Sequence, residues 1–490
     1  MVGPLVRRGE AVMAGPSRYA QMYAPLRVPN YRMFIAGQSI STIGTLVQMT
    51  AQSWVVFELT HSSAALGWVG LIGSLPMIVL GPFAGALADR VNRRLLLIGT
   101  QATLAVLAAV FAVLVQTGSL VVEHVYVLAF ASGIVVALDL PALQAFAADL
   151  AGPSLIRQAV TLNAMAFQMA RMIGPSVAGL AIGSFGNATA FWMNAMSFVA
   201  VILAIWRIRF TEGAVQAGLR DARATTDGTP ARARFGGPLE AVRHVFDHPP
   251  MLDLYLFSML FTFLVFSTLT VYPAFVADTL HGDATMLGFL MGASGAGSLT
   301  CTLLFLPILH SVRRTGLLIA GALGWFGVML VTMTVAAPPL AAFVVGWGIP
   351  VDVADALPVV VACFGFLQGM AGPVVMTTSM GLLQQMAPPA MRARLIGLVT
   401  SISFGMQPFA GLLVGYAGEL LGAGIALRIN GILLMISAGA MVAFRASVRA
   451  PSPVPATVPS GPRAAVSTTP GPASTGGVGR DVRTVPSATA

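Results

Sequence analysis

Two ionisable side chains stand deep inside long apolar stretches of this chain, Asp139 in one and Arg171 in the next. A lone charge at the centre of a membrane-spanning helix costs roughly 2.5–3.5 kcal/mol on insertion scales, so neither is expected to face hydrocarbon unaided. Each needs a partner or a shared cavity. Asp139 precedes Pro141, and Asn163, Phe167 and Arg171 lie on one face of the following segment, so a contact between the two neighbours is within reach. Two arrangements fit: a fixed ion pair that holds this part of the chain together, or a carboxylate that takes and releases a proton beside an arginine that tunes it.

Neutral polar residues form a second pattern. Gln38, Ser41, Thr45, Gln48 and Gln52 recur at spacings of three, four, three and four, which puts them on one face of a helix. Such a stripe either faces something wet or bonds neighbouring helices. Further on, Tyr255, Phe257, Phe261, Thr262, Phe266 and Thr270 supply rings and hydroxyls, and Gln368, Thr400, Ser403 and Gln407 add neutral polarity. A mixed lining of this kind suits an amphiphilic or aromatic molecule better than a sugar phosphate. There is no phosphate-binding glycine loop, metal-ligand spacing or nucleophile triad, and the histidines are dispersed. No enzyme chemistry, metal or cofactor is expected.

The elements that carry these residues follow from composition. The chain has 490 residues, 56% hydrophobic and only 9% charged, too apolar for a water-soluble domain of this length. Stretches of roughly 20 apolar residues are long enough to span a bilayer as helices, and they lack the alternation of barrel strands. The pattern predicts helices over residues 32–57, 64–87, 95–116, 124–148, 157–183 and 188–207, then 251–277, 284–309, 315–337, 357–383, 394–417 and 423–445. Between the sets, residues 208–250 read as a polar linker with a short amphipathic helix near Leu239–Phe246. Residues 1–25 and the Pro/Ser/Thr/Ala/Gly-rich tail 447–490 are expected to be disordered. The short run Ala341–Trp347 is expected in an outside loop at the membrane interface. Cys301 and Cys363 fall in apolar segments and imply no disulfide.

All 27 basic residues are arginine, and the net charge of +9 reports orientation rather than a nucleic-acid partner. With the N-terminus inside, Arg27, Arg32, Arg90, Arg93, Arg94, Arg157, Arg313, Arg314, Arg392 and Arg394 all fall on the cytoplasmic side with the linker and tail. Glu58, Glu123, Asp278, Asp283, Asp352, Asp355 and Glu419 fall outside, where Arg428 stands alone. Weak collinear similarity links the halves: Leu66-Gly67 with Leu287-Gly288, Pro153–Arg157 with Pro388–Arg392, Gly183 with Gly415, Asn194 with Asn430.

Over residues 26–446 the chain resembles the major facilitator superfamily. Gly85-Ala86-Leu87-Ala88-Asp89-Arg90-Val91-Asn92-Arg93-Arg94 fits that superfamily's loop signature between its second and third helices. Leu26-Arg27 through Asn30-Tyr31-Arg32 into Gly37-Gln38, Glu58–Ser62, and Ala170-Arg171-Met172-Ile173-Gly174-Pro175 with Gly179 are similar to the transmembrane secretion effector group, which includes enterobactin-exporter-like and drug-efflux proteins. The resemblance implies an all-α membrane protein of twelve transmembrane helices in two pseudo-symmetric six-helix bundles, 26–207 and 251–446. It implies a cytoplasmic gating motif at Gly85, Asp89, Arg90, Arg93 and Arg94, with Gly174, Pro175 and Gly179 as a helix-packing motif. The first, fourth, seventh and tenth helices would line a central cavity, with Gln38, Ser41, Thr45, Gln48, Gln52, Asn163, Phe266 and Gln407 facing it. The expected activity is export of a small organic, amphiphilic molecule, drug-like or a siderophore, by alternating access with proton antiport. Uptake or facilitative transport by the same fold, and a transport-inactive membrane sensor or scaffold, remain as alternatives. The expected setting is the bacterial plasma membrane, multi-pass, as a monomer with both termini cytoplasmic.

Overall fold

Apolar stretches in lipid satisfy their backbone as helices or as closed barrels, and the described residues take the first course. The computed structural model describes residues 22–88, 91–208, 238–309, 312, 314–346, 353–388 and 391–449. The first set of helices is α1 (Pro29–Thr60), α2 (Ser63–Ala88), α3 (Arg93–Gln116), α4 (Val122–Ala151), α5 (Ile156–Phe185) and α6 (Asn187–Arg207). A short amphipathic helix, α7 (Pro238–Asp247), leads into the second set. That set is α8 (Pro249–Thr279), α9 (284–309), α10 (Thr315–Gly346), α11 (353–386, interrupted at Met370), α12 (Arg392–Leu421) and α13 (Ala423–Phe444). Ten of the described helices are long and apolar enough to cross a membrane. α1 and α5 are as long, but their polar residues keep them below that mark.

Short turns make successive helices antiparallel. The turns after α1, α3, α5, α8 and α12 gather at one end, where Glu58, Glu123, Asp278, Asp283 and Glu419 stand. Those after α2, α4, α9 and α11 gather at the other, with Arg93, Arg94, Arg157, Arg314, Arg392 and Arg394. These are called below the acidic end and the arginine end. Large side chains such as Phe444 (85% exposed), Leu420 (80%) and Ile308 (68%) point away from the protein, as a lipid-facing surface requires.

Within the first set α1 packs on α5 and α6, α2 on α4, and α3 on α6; within the second α8 packs on α12 and α13, α9 on α11, and α10 on α13. The pairings correspond one to one. Two hydrogen bonds repeat with them. Tyr31 on α1 donates to the Ala159 carbonyl on α5 at 3.0 Å, and Tyr255 on α8 to the Leu395 carbonyl on α12 at 2.7 Å. Asn194 on α6 donates to Gln48 on α1 at 2.7 Å, and Asn430 on α13 to the Leu264 carbonyl and Thr268 hydroxyl of α8 at 2.6 and 2.9 Å. Gly186 and Gly422 turn the chain between the last two helices of each set with φ of +87° and +90°, a conformation open to glycine.

One expectation is corrected. Residues 338–346 continue α10 rather than forming an outside loop. Pro338 cannot donate to the Thr334 carbonyl, but the Arg428 guanidinium on α13 donates to it at 3.1 Å, so the helix survives its prolines. At the C-terminal side a helical turn spans Ala446–Arg449, where Val448 is buried and lies against the Gly316 backbone. At the N-terminal side a 3₁₀ turn spans Ala24–Arg27 with Pro25 buried.

Candidate functional site

Asp139 sits in the middle of α4 and is 8% exposed. Its two oxygens accept from the Thr100 hydroxyl at 2.5 Å and the Gln101 amide at 2.9 Å, both on α3. It turns toward α3, not α5, and no ion pair joins it to Arg171. The sequence supplied a cation one helix away, whereas the fold satisfies the carboxylate with two neutral donors.

Arg171 lies at the midpoint of α5, about 22 Å of helix from its Ile156 end. Val160, Ala164, Phe167, Arg171 and Ala178 follow one another at helical spacing on one face. Exposure falls along that stripe from Val160 (64%) and Phe167 (48%) to a half-buried Arg171 and a fully buried Ala178. The stripe is therefore exposed on the arginine side and covered past Arg171. Asn163, one turn away, is exposed as well. Arg171 has no hydrogen-bond or ion-pair partner among the described residues.

What closes the stripe is the seam between the sets. α5 and α9 meet backbone to backbone: a methyl group built on Gly288 would lie 2.6 Å from the Pro175 carbonyl oxygen and 2.8 Å from Gly179 Cα. One built on Gly295 would lie 2.6 Å from the Arg171 carbonyl oxygen. Gln168 donates across the same seam to Ser298 at 3.0 Å. Gly174 faces the other way, with Leu46 of α1 at 2.6 Å from its notional methyl. The motif thus serves two contacts: Gly174 binds α5 into its own set, and Pro175 and Gly179 form the joint to the other.

A second seam joins α2 and α12 near the acidic end. A methyl on Gly67 would meet Leu412 Cα at 2.6 Å, and one on Gly415 the Ser63 carbonyl at 2.6 Å. Trp68 donates to the Tyr416 hydroxyl at 3.1 Å, and the Ala64 amide to Glu419 at 3.4 Å. These cross-seam partners went unread in the sequence, since no local spacing links residues so far apart.

The α1 stripe divides. Ser41 is buried and Gln48 accepts from Asn194, beside a Gly44 that abuts Ser197, so these two serve the joint with α6 rather than a cavity. Thr45 spends its hydroxyl on the Ser41 carbonyl at 2.9 Å, Gln38 reaches Thr42 at 3.4 Å, and Gln52 is half-buried. In the second set Phe266 is half-buried and stands edge-on to Phe261 at 6.0 Å, and Gln407 is half-buried on α12. Gln368 is 1% exposed and accepts from Tyr272 at 2.6 Å, which makes it a packing group.

Of the loop motif, Asp89 and Arg90 lie outside the described residues, and Gly85 falls within α2. Arg93 pairs with Asp149 at the end of α4 at 2.7 Å, and Arg94 donates to the Trp206 carbonyl at the end of α6 at 2.6 Å. Both of these contacts are within the first set. Asn92 caps α3 by accepting from the Arg94 and Leu95 amides.

Comparison with known proteins matches this architecture. Over 390 residues, 77% of the chain and 87% of the relative, it is 25% identical to the multidrug efflux pump Tap of Mycolicibacterium fortuitum. It is 22% identical over 283 residues, 57% of the chain and 68% of the relative, to the staphyloferrin A transporter of Staphylococcus aureus (strain NCTC 8325 / PS 47). Macrolide efflux protein A of Streptococcus pyogenes is 28% identical over 145 residues, 30% of the chain and 36% of the relative. Among solved structures, the nucleoside transporter NupG superposes with a TM-score of 0.60 at 14% identity, over 84% of this chain and 98% of that one. A D-xylose–proton symporter gives 0.58 at 15% identity, over 85% and 99%. Residues 20–453 match the transmembrane secretion effector family, and with its helix order and paired sets the chain belongs to that family of major facilitator membrane transporters.

Proposed function

We propose that the chain is a secondary active exporter of a small organic, amphiphilic molecule, drug-like or a siderophore, driven by proton antiport. The observation that carries this reading is the asymmetry of the α5 stripe, exposed on the arginine side and covered beyond Arg171 by the glycine seam with α9. A binding chamber reached from one side at a time is what alternating access requires. Residues 26–207 and 251–446 are the two bundles that rock, and 208–250 tethers them; the arginine end is cytoplasmic by the positive-inside rule, with both termini there. The membrane is the bacterial plasma membrane, and the chain works as a monomer. The efflux relatives support export over uptake.

Asp139 is the proton carrier in this reading, a mid-membrane carboxyl held by neutral donors. The test is ethidium movement in proteoliposomes under an imposed pH gradient. Wild type is expected to extrude the dye against its gradient, and Asp139→Asn to lose that coupling while keeping its thermal midpoint. Gradient-driven transport unchanged in Asp139→Asn would remove Asp139 from coupling, and inward pumping would reverse the direction assigned.

A further inference from the structure

Arg171 is a cation with no counter-charge among the described residues, at the middle of a membrane-spanning helix. Every described carboxylate that comes near mid-membrane or the helix ends close to it is committed elsewhere: Asp139 to Thr100 and Gln101, Asp149 to Arg93, and Asp253 to Arg445 at 3.2 Å. The backbone of Arg171 is clamped by Gly295 across the α5–α9 seam, so its root is fixed. The side chain stands at the deepest point of the stripe still reached from the arginine side, with Phe167 and Asn163 on the approach. An unpaired guanidinium in low dielectric is costly to keep, and carboxylate or a similar anionic oxygen matches its fork of donors.

We infer that Arg171 docks an anionic group of the transported molecule, a carboxylate or comparable acidic oxygen on an otherwise apolar, aromatic body. The inference rests on the exporter reading and narrows its substrate class. The guanidinium binds the acid, Phe167 lies under the apolar part, and Asn163 offers an amide to a neutral polar substituent. Substrate charge completes a pair that the protein leaves open, and its departure reopens it.

The experiment uses the full chain in proteoliposomes with two aromatic probes of opposite charge, fluorescein and ethidium. Wild type moves fluorescein. Arg171→Gln lowers that rate roughly tenfold or more and raises ethidium transport, because a charge-assisted bond to the anion is lost and repulsion of the cation is relieved. Arg171→Lys keeps the charge and retains most fluorescein transport. Removal of an unpaired charge leaves the thermal midpoint of Arg171→Gln equal to or above that of wild type, so a lowered midpoint would expose a structural ion pair and overturn the inference. Wild type that moves ethidium but not fluorescein, or an Arg171→Gln that slows both dyes alike, overturns it while leaving the exporter standing. Wild type that moves neither dye overturns the exporter reading and the inference together.

Discussion

The α1–α6 set and the α8–α13 set are fastened alike and loaded differently. A tyrosine on the first helix of each reaches the fifth, an asparagine on the sixth reaches the first, and a left-handed glycine turns the last hairpin. The first set carries both mid-membrane charges, Asp139 and Arg171, on uninterrupted helices. The second carries neutral residues there, and its helices are irregular: π-helical turns at Phe261–Phe266 and Phe275–Thr279 in α8 and Cys301–Phe305 in α9, and the interruption at Met370 in α11. Wider turns break the regular hydrogen-bond ladder and let a helix change shape at small cost. The contrast predicts a division of labour in which one set holds its charges still and the other yields where its ladder is broken.

Glycine substitutions at the tightest crossings test that contrast most severely. A methyl on Gly133 of α4 would lie 2.1 Å from the Gly73 carbonyl oxygen of α2, and one on Gly369 of α11 lies 1.9 Å from the Ser294 carbonyl oxygen of α9. Gly133→Ala is expected to lose roughly 3 kcal/mol of stability in detergent unfolding, and Gly369→Ala less, about 2 kcal/mol, because α11 is interrupted one residue away. A larger loss in Gly369→Ala would break the claim that the second set yields.

The asparagine pair comes next. Asn430→Ala should cost about 2 kcal/mol and Asn194→Ala about 1 kcal/mol, since the first leaves two acceptors on α8 and the second leaves a half-buried Gln48 that water can reach. Thermal midpoints of the two variants decide it, and the reverse order would mean that the two ties are not equivalent. Smallest is the tyrosine pair: Tyr31→Phe and Tyr255→Phe each lose about 1 kcal/mol, for one neutral hydrogen bond. Equal losses sharpen the repeat; a loss in one alone would confine the tie to that set.

Helix positions were legible to within a few residues, because length and hydropathy alone decide which stretches can span. α10 was the exception: its expected span stopped at 337, just before Pro338 and Pro339, and the donor to the Thr334 carbonyl comes from Arg428, a residue nearly 100 positions away in sequence. Asp139 was found, but its partners were not. Opposite charge made Arg171 the natural guess, although Thr100 and Gln101 were the polar residues of α3 at the right depth. Helical spacing put Ser41 and Gln48 on one face without saying which neighbour that face meets, and the fold turns it to α6. Even the internal repeat was read with a slip: Asn194 and Asn430 stand 236 residues apart, as do Gly186 and Gly422, a spacing that sets Gly183 opposite Glu419 instead of Gly415.

α5 meets α9 with its backbone and leaves the side chains of its exposed stripe out of that contact. The joint to α9 is chiefly main chain against main chain, at Pro175, Gly179, Gly288 and Gly295, with Gln168 and Ser176 the α5 side chains that enter it. Under the proposal that Arg171 docks the cargo, exchanging the side chains at positions 160, 164, 167 and 171 would retune which molecule is accepted while the backbone joint stayed as it is.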